Sequence, residues 1–458
     1  MNQLSFLVAA SAFIFIHKFN YLQSPLKLSC FCTFLLLITL AIYHHLKRKP
    51  RPVYLVDFAC YKPNDSCAVT KERVLERAKT ILESEQSLKL VKKILDKSGI
   101  GPKTYGCQAL LETPPNESLV EARKETEAIF FGAIDKLLEK TWVQPKDMGI
   151  LVVNCSVFCP TPSLCDIVVN RYKFRNNILC YNLSGMGCSA GVLAIDFAKH
   201  LLQSHPNSYA MVLSTEISAG LYKGRNPSMI LPFCLFRMGG SALILSNHPS
   251  DRLRSKYQIM NTLRTHMASD DRSYNCVHQQ DDEQQHIGVA ISKDLMHVAG
   301  QGLKSHITFL APLVLPLSEK FKFLVNFVGR KVFRMKIEAY VPNFKSAFEH
   351  FCIHAGGRAV LDTMQKSLVL QDWDMEPSRM TLYRFGNLSS SSVWYELAYC
   401  EAKGRIKKGD KIWQLAFGSG FKCNSAVWVA LDNVDATLLK NPWMDEIHEF
   451  PVSVSSQN

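Results

Sequence analysis

Of the 15 cysteines in the chain, Cys188 has the surroundings of a nucleophile. It follows the turn Ser184-Gly185-Met186-Gly187 and precedes an apolar stretch from Ser189 to about Leu202, which predicts a largely buried helix. A sulfur at the start of a helix faces the positive end of its dipole, which favours the thiolate. The bland alternative, a small buried hydrophobe, is how the other cysteines read. A thiol needs a base or a cationic partner, and the chain has 14 histidines. His350 and His354 have the step of a helical metal pair. On the β-rich run His350–His354, however, they stand roughly 13 Å apart at about 3.3 Å per residue, too far to share one ion. His354 ends that run before Ala355-Gly356-Gly357 and so projects from the carboxyl edge of a sheet, where α/β sites form, though a structural histidine fits there too. Asn387, in Arg384-Phe385-Gly386-Asn387 ahead of a serine run, reads by spacing alone as a loop or capping residue. Cys155 and Cys159 lack a second ligand pair, so no metal site is expected.

The elements that must position these residues follow an α/β grammar. Charged and apolar residues alternate at helical spacing in Lys71–Glu83 and Leu119–Leu138, predicting surface helices over a sheet. The sheet is expected to begin with Gly149–Asn154, followed by a break at Pro160–Pro162 and a helix from Ser163 to Tyr172. Strands Ile178–Asn182, Tyr209–Ser214 and Ser241–Leu245 follow, and then a polar, loop-like tract between Asp270 and Gln285. Ile307–Val328 is strongly apolar but interrupted by Pro312, Pro316 and Glu319–Lys322, and reads as a buried or membrane-facing segment. After it, the pattern repeats. His350–His354 is a strand, Gly357–Gln365 and Ser390–Lys403 are helices, and Lys411–Phe417 and Asn424–Leu431 are strands around Gly418-Ser419-Gly420. Two similar halves imply a duplicated α/β fold.

The 458 residues are enough for a large core, and 47% hydrophobic with 20% charged residues describe an ordinary globular chain. The first fifty residues differ. Apolar runs Leu4–Ile16 and Leu28–Tyr43 each fall short of the roughly 20 residues that span a bilayer comfortably, but together they suit a helical hairpin, or one span with an interfacial segment. A cleavable signal peptide fits less well, because no basic region precedes the first run and no small-residue cleavage site follows it. Lys47, Arg48, Lys49 and Arg51 then mark the cytoplasmic side, so the remainder is expected in the cytosol, which suits scattered, reduced cysteines. The formal charge of +13, without a basic-aromatic stripe, points to anionic lipid and phosphate-bearing ligands rather than nucleic acid.

Four segments together carry a specific likeness. Asn182-Leu-Ser-Gly-Met-Gly-Cys188-Ser-Ala-Gly191, His350-Phe-Cys-Ile-His354-Ala-Gly-Gly357, Arg384-Phe-Gly-Asn387-Leu-Ser-Ser-Ser-Ser392 and Phe417-Gly-Ser-Gly-Phe421 resemble, in order, the plant 3-ketoacyl-CoA synthases of microsomal fatty acid elongation. The resemblance runs from about Pro52 to Val429 and includes the two-run anchor. It implies a duplicated thiolase-like fold, layered αβαβα, divided as an anchor (residues 1–51), a half carrying the cysteine (52–340) and a half carrying histidine and asparagine (341–458). It also implies a Cys188-His354-Asn387 triad that condenses a long-chain acyl-CoA with malonyl-CoA. Backbone amides of Cys188 and Ser419 would form the oxyanion hole, and His266 and His350 would support. No metal or redox cofactor is implied, and the setting is the endoplasmic reticulum membrane, as a homodimer alongside other elongase subunits. The chain departs from the family at Tyr383, where histidine is usual, and more mildly at Ser184 and Ser218–Ser228. Tyr383, four residues before Asn387, is expected close behind the decarboxylation site. Two alternatives stand beside this reading: a chalcone-synthase-like polyketide synthase, and a weakened paralogue serving as a non-catalytic partner.

Overall fold

A computed structural model describes residues 50–453 apart from 83, 113, 218–225 and 339, together with Thr33, Leu36, Leu37 and Thr39. The two apolar runs of the expected anchor, and most of Ser218–Ser228, lie outside the described residues. Residues 52–458 form one compact unit.

Nine strands, most of them apolar, make one mixed sheet: β1 (Tyr54–Cys60), β2 (Met148–Asn154), β3 (Leu179–Leu183), β4 (Tyr209–Glu216), β5 (Gly239–Ser246), β6 (Tyr257–His266), β7 (His350–Ile353), β8 (Lys411–Gly418) and β9 (Lys422–Ala430). Their order is β7-β8-β9-β6-β1-β5-β4-β2-β3. Outward from the central β6–β1 seam, each side repeats the same directions. β1 pairs antiparallel with β5, β5 antiparallel with β4, and β4 parallel with β2. On the other side β6 pairs antiparallel with β9, β9 antiparallel with β8, and β8 parallel with β7. The duplication is thus written in the hydrogen bonding. By strand order the halves meet between β5 and β6, so the division expected at 340/341 follows the site residues rather than the sheet.

Helices α1 (Leu119–Thr141), α2 (Ala190–Ser204), α3 (Leu295–Val314), α5 (Asp372–Phe385) and α6 (Ser392–Ala402) close both faces, and α4 (Leu317–Lys331) follows α3 outside the hydrophobic core. α2 touches β4 and β2 of one half and β9 and β8 of the other, and α6 touches β7, β8 and β1. Such contacts require helices apolar all round, and every residue of α6 is buried. Its two acids are accommodated individually: Glu401 accepts from Tyr257 Oη (2.8 Å) and Lys256 Nζ (3.1 Å), while Glu396 accepts from Ser378 Oγ (2.8 Å) and burial raises its pKa far above the usual carboxylate range.

Two expectations need correction. The sheet begins at β1, well before Gly149, and β6 and α5 also lay outside the sequence reading. The tract after Asp270 is no open loop. It holds a helical turn (Asp271–Tyr274) and a hairpin of Val277–Asp281 with Ile287–Ile291, whose turn is nucleated by Asp282 Oδ1 accepting from the amides of Gln284 and His286. Ile307–Val328 is two helices, broken where Pro316 caps α4. No helix among the described residues is long and apolar enough to cross a membrane.

α3 is fastened through His306, fully buried, whose Nδ1 and Nε2 meet Thr265 Oγ1 (2.9 Å) and Ser425 Oγ (2.6 Å). Burial lowers its pKa from 6.5 to about 4. The unfolded chain therefore binds a proton near pH 6.5 that the folded chain refuses until about pH 4, and stability must fall as pH drops through that window. Thermal melts from pH 7 to 5 should show this loss, about 2 kcal/mol, and His306→Gln should flatten the slope. Equal slopes in both proteins would contradict it.

Candidate active site

The chain leaves β3 through Gly185 and Gly187, both with left-handed φ (+66° and +68°), and Cys188 sits in the 3₁₀ turn Gly187–Ser189 ahead of α2. At Gly187 the requirement is severe. A Cβ there would overlap the Ser419 amide nitrogen, whereas one at Gly185 would meet nothing within 4 Å. From the opposite side, a Cβ at Gly418 would overlap Ser189. The turn bearing Cys188 and the β8–β9 turn are therefore in backbone contact.

His354 follows β7, its amide donating to Leu415 O (2.9 Å). Its ring stands over Gly356, where a Cβ would lie 3.2 Å from Nε2. Nδ1 is buried and has no hydrogen-bond partner among the described residues. Asn387 arrives by a sharp turn after α5 at Gly386 (φ +72°) and is pinned to the segment before β5, donating its amide to Leu235 O and accepting from Arg237 N, both 3.0 Å. Its side chain is oriented by accepting from Ser389 N (2.8 Å) and donating to Gly356 O (3.2 Å), which leaves one amide hydrogen uncommitted.

Cys188, His354, Asn387, His266 and Ser419 all line one cavity of about 510 Å³. Glu216, Ser389 and Lys422 line it as well and were not singled out from sequence; the only signal for Glu216 was an acid closing the apolar strand Ala210–Thr215. Glu216 is buried, accepts from Cys155 Sγ (3.2 Å), Ser156 N (3.1 Å) and Val157 N (3.2 Å), and has its pKa raised by burial. One wall is apolar, with Val277, Val289, Ile291, Leu295 and Val360. His266, at the end of β6, lies opposite Lys422 in the ladder, and burial, then Lys422, lower its pKa.

Two expected residues stand apart from the cavity. His350, at the start of β7, is bonded through Nε2 to Asp410 Oδ2 (2.8 Å), so it ties β7 to the turn before β8. Tyr383 faces away on α5: its ring covers Gly101 and meets Phe450 edge-on at 6.4 Å. The turn at Gly386 separates it from Asn387, so four residues of sequence do not make them neighbours.

Burial also decides the protonation state. It pushes the Cys188 thiol up to about 12, outweighing the hydrogen bond from Ser389, and lowers His354 to about 4. The helix-dipole argument for a resting thiolate is overridden, and thiol and imidazole are both neutral near pH 7. Such a site can attack a carbonyl carbon once the imidazole takes the thiol proton, and can then offer N–H groups to an oxyanion. Inactivation by iodoacetamide at Cys188 should therefore rise about tenfold per pH unit between pH 7 and 9; a plateau near neutrality would mean a preformed ion pair. Gly187→Ala should abolish most condensation, and Gly185→Ala should cost about 1–2 kcal/mol of stability at most, from its φ alone.

Comparison with known proteins agrees with this geometry. Residues 45–332 match the FAE1/type III polyketide synthase-like family model, and residues 345–430 match the C-terminal domain of 3-oxoacyl-[acyl-carrier-protein] synthase III. In fold the chain is similar to a fungal type III polyketide synthase, ORAS (TM-score 0.64, 17% identity, 82% of this chain and 99% of that one). It is similarly close to PKS-I of the brown alga Ectocarpus siliculosus (0.63, 16%, 84% and 100%). In sequence it is 59% identical to 3-ketoacyl-CoA synthase 11 of Arabidopsis thaliana, covering 95% of this chain and 86% of that protein. It is also 57% identical to 3-ketoacyl-CoA synthase 2 of the same plant (95% and 83%). With its thiolase-like fold and this likeness along nearly its whole length, the chain belongs to the 3-ketoacyl-CoA synthases, the condensing enzymes of very-long-chain fatty acid elongation.

Proposed function

We propose that Cys188, His354 and Asn387 carry out the condensation in two stages. The thiol of Cys188 attacks the thioester carbonyl of a long-chain acyl-CoA as its proton passes to the His354 ring. The carbon–sulfur bond to CoA then breaks, and His354 returns the proton to the leaving thiolate, so the acyl group remains on Cys188 and the imidazole is neutral again. Malonyl-CoA next enters and loses its carboxylate as carbon dioxide. The electron pair left behind forms an enolate, whose oxygen accepts hydrogen bonds from His354 and the uncommitted amide hydrogen of Asn387. The enolate carbon attacks the acyl thioester, the Cys188–acyl bond breaks, a lengthened 3-ketoacyl-CoA leaves, and the departing Cys188 thiolate takes one proton from solvent to become the resting thiol again. Backbone N–H groups of Cys188 and Ser419 serve as the oxyanion hole for both tetrahedral intermediates. Atoms and charges balance with these groups, so no metal or redox cofactor is needed.

The observation that carries this reading is the meeting of a thiol, an unpartnered imidazole nitrogen and a fixed amide around one apolar-walled cavity. The apolar wall suits the acyl chain, and Lys422 with His266 suits the malonyl carboxylate or CoA phosphates. His350 acts as a positioning residue. Residues 1–51 serve as the membrane anchor in the endoplasmic reticulum, with the catalytic unit in the cytosol, where CoA esters are available. α2 and α6 form the central layer of an αβαβα stack, and the enzyme works as a homodimer with other elongase subunits.

Tyr383 lies apart from the cavity, which favours a working enzyme over a non-catalytic partner. Tyr383→His should thus change turnover by less than about tenfold; a gain of several hundredfold would restore the weakened-paralogue reading. Cys188→Ala should abolish condensation without unfolding the protein, and Cys188→Ser should fail too, because a hydroxyl is harder to deprotonate than a thiol. Product formation from radiolabelled malonyl-CoA measures all three.

A further inference from the structure

Between Leu315 and Phe344 the chain leaves the hydrophobic interior, and no described side chain of residues 316–343 belongs to any core cluster. α4 nonetheless carries an apolar stripe, Leu317, Phe321, Leu324, Val325 and Val328, at the spacing of a helix that buries one face. The stripe is turned outward: Leu317 is 82% exposed, Phe321 66% and Leu324 55%. The polar side packs instead on the returning chain, residues 338–343. Glu319 is 4% exposed and accepts from Lys322 Nζ (2.8 Å), Tyr340 Oη (2.5 Å) and Asn343 N (3.0 Å). Asn326 donates to Glu338 O (3.0 Å) and accepts from Tyr340 N (3.1 Å). These bonds hold the polar side of the helix against the returning chain and leave the apolar stripe uncovered. Past the helix, Val332, Phe333 and Met335 continue the exposed apolar surface.

Lys320, Lys322, Arg330, Arg334 and Lys336 are interleaved with these apolar residues. Protein interfaces deplete lysine at their centres, whereas an interfacial helix on anionic lipid wants apolar residues among acyl chains and cations at headgroup phosphates. The segment is also rooted towards one end of the sheet. Its return point, Phe344, packs on Trp413 (ring centroids 5.1 Å) near the Lys411 start of β8. Lys411 pairs with Val429, Ala430 with Tyr257, and Tyr54 with Gln258, so this is the sheet end at which residue 52 enters the compact unit.

We propose that α4 with residues 332–336 is an interfacial element by which the catalytic unit itself lies on an anionic membrane surface. This contact is additional to the anchor proposed for residues 1–51 and does not depend on it. It gives the unit a fixed face toward lipid.

The test uses the full-length protein reconstituted into phosphatidylcholine vesicles, with or without phosphatidylserine, containing lipids brominated on their acyl chains. Phe321→Trp and Leu324→Trp each add an indole on the exposed stripe, and the wild-type signal is subtracted. Condensation activity in detergent shows that each variant is folded. The added emission should be largely quenched by brominated lipid when phosphatidylserine is present. Arg330→Glu combined with Arg334→Glu should remove that quenching. Unquenched emission from both variants in sealed vesicles would overturn the proposal, and a blue-shifted but unquenched signal would assign the stripe to a protein neighbour instead. Quenching that ignores phosphatidylserine would overturn the anionic preference.

Discussion

The site depends on backbone meeting backbone at glycines that leave no room for a side chain. A Cβ at Gly187 would strike the Ser419 amide, one at Gly418 would strike Ser189 and Met186, and one at Gly191 would strike the Ser390 carbonyl. These contacts lock together three turns far apart in sequence: the turn bearing Cys188, the β8–β9 turn, and the serine turn after Asn387. Both halves of the duplicated sheet contribute, because the seam brings α2 against β8 and β9. Since chemistry between bound groups is sensitive to displacements near 1 Å, glycine here is a condition of function rather than of loop flexibility.

Within that frame, desolvation sets the resting state. It disfavours the charged form of both groups, raising the Cys188 thiol and lowering the His354 imidazole, and the resting groups are accordingly neutral. Charge then arises only when a thioester is present to receive the attack and amide hydrogens are in place to meet the oxyanion. Glu216 feels the same desolvation, which raises its pKa, while donors from Cys155, Ser156 and Val157 act in the opposite direction. An unoccupied enzyme with a quiet cysteine is protected from adventitious alkylation and oxidation.

Much of this was legible in sequence where apolar runs end at glycines. Cys188 and His354 were placed at strand ends because a β-rich run followed by a Gly-rich turn leaves little choice of conformation, and the strands from Met148 to Ser246 were near their observed bounds. β6 was missed because Tyr257–His266 mixes Gln, Asn, Thr and Arg into a strand whose burial pattern is uneven. The hairpin after Cys276 was missed because Gln279, Gln280 and Asp281 face solvent. His350 and Tyr383 show a different limit. The Asp410 partner of His350 lies 60 residues away, and a single left-handed glycine turns Tyr383 from Asn387. Proximity in sequence carries no information about direction after such a turn.

The central claim is that a resting thiol at Cys188 becomes the acyl carrier. Its most direct test is to incubate the enzyme with a long-chain acyl-CoA and no malonyl-CoA, quench in acid, and map the adduct by mass spectrometry of the digested protein. The account predicts an acyl mass on the peptide containing Cys188, labile to hydroxylamine and discharged when malonyl-CoA is added before the quench. An adduct confined to another cysteine, or an unmodified Cys188 in an enzyme that turns over, would contradict it.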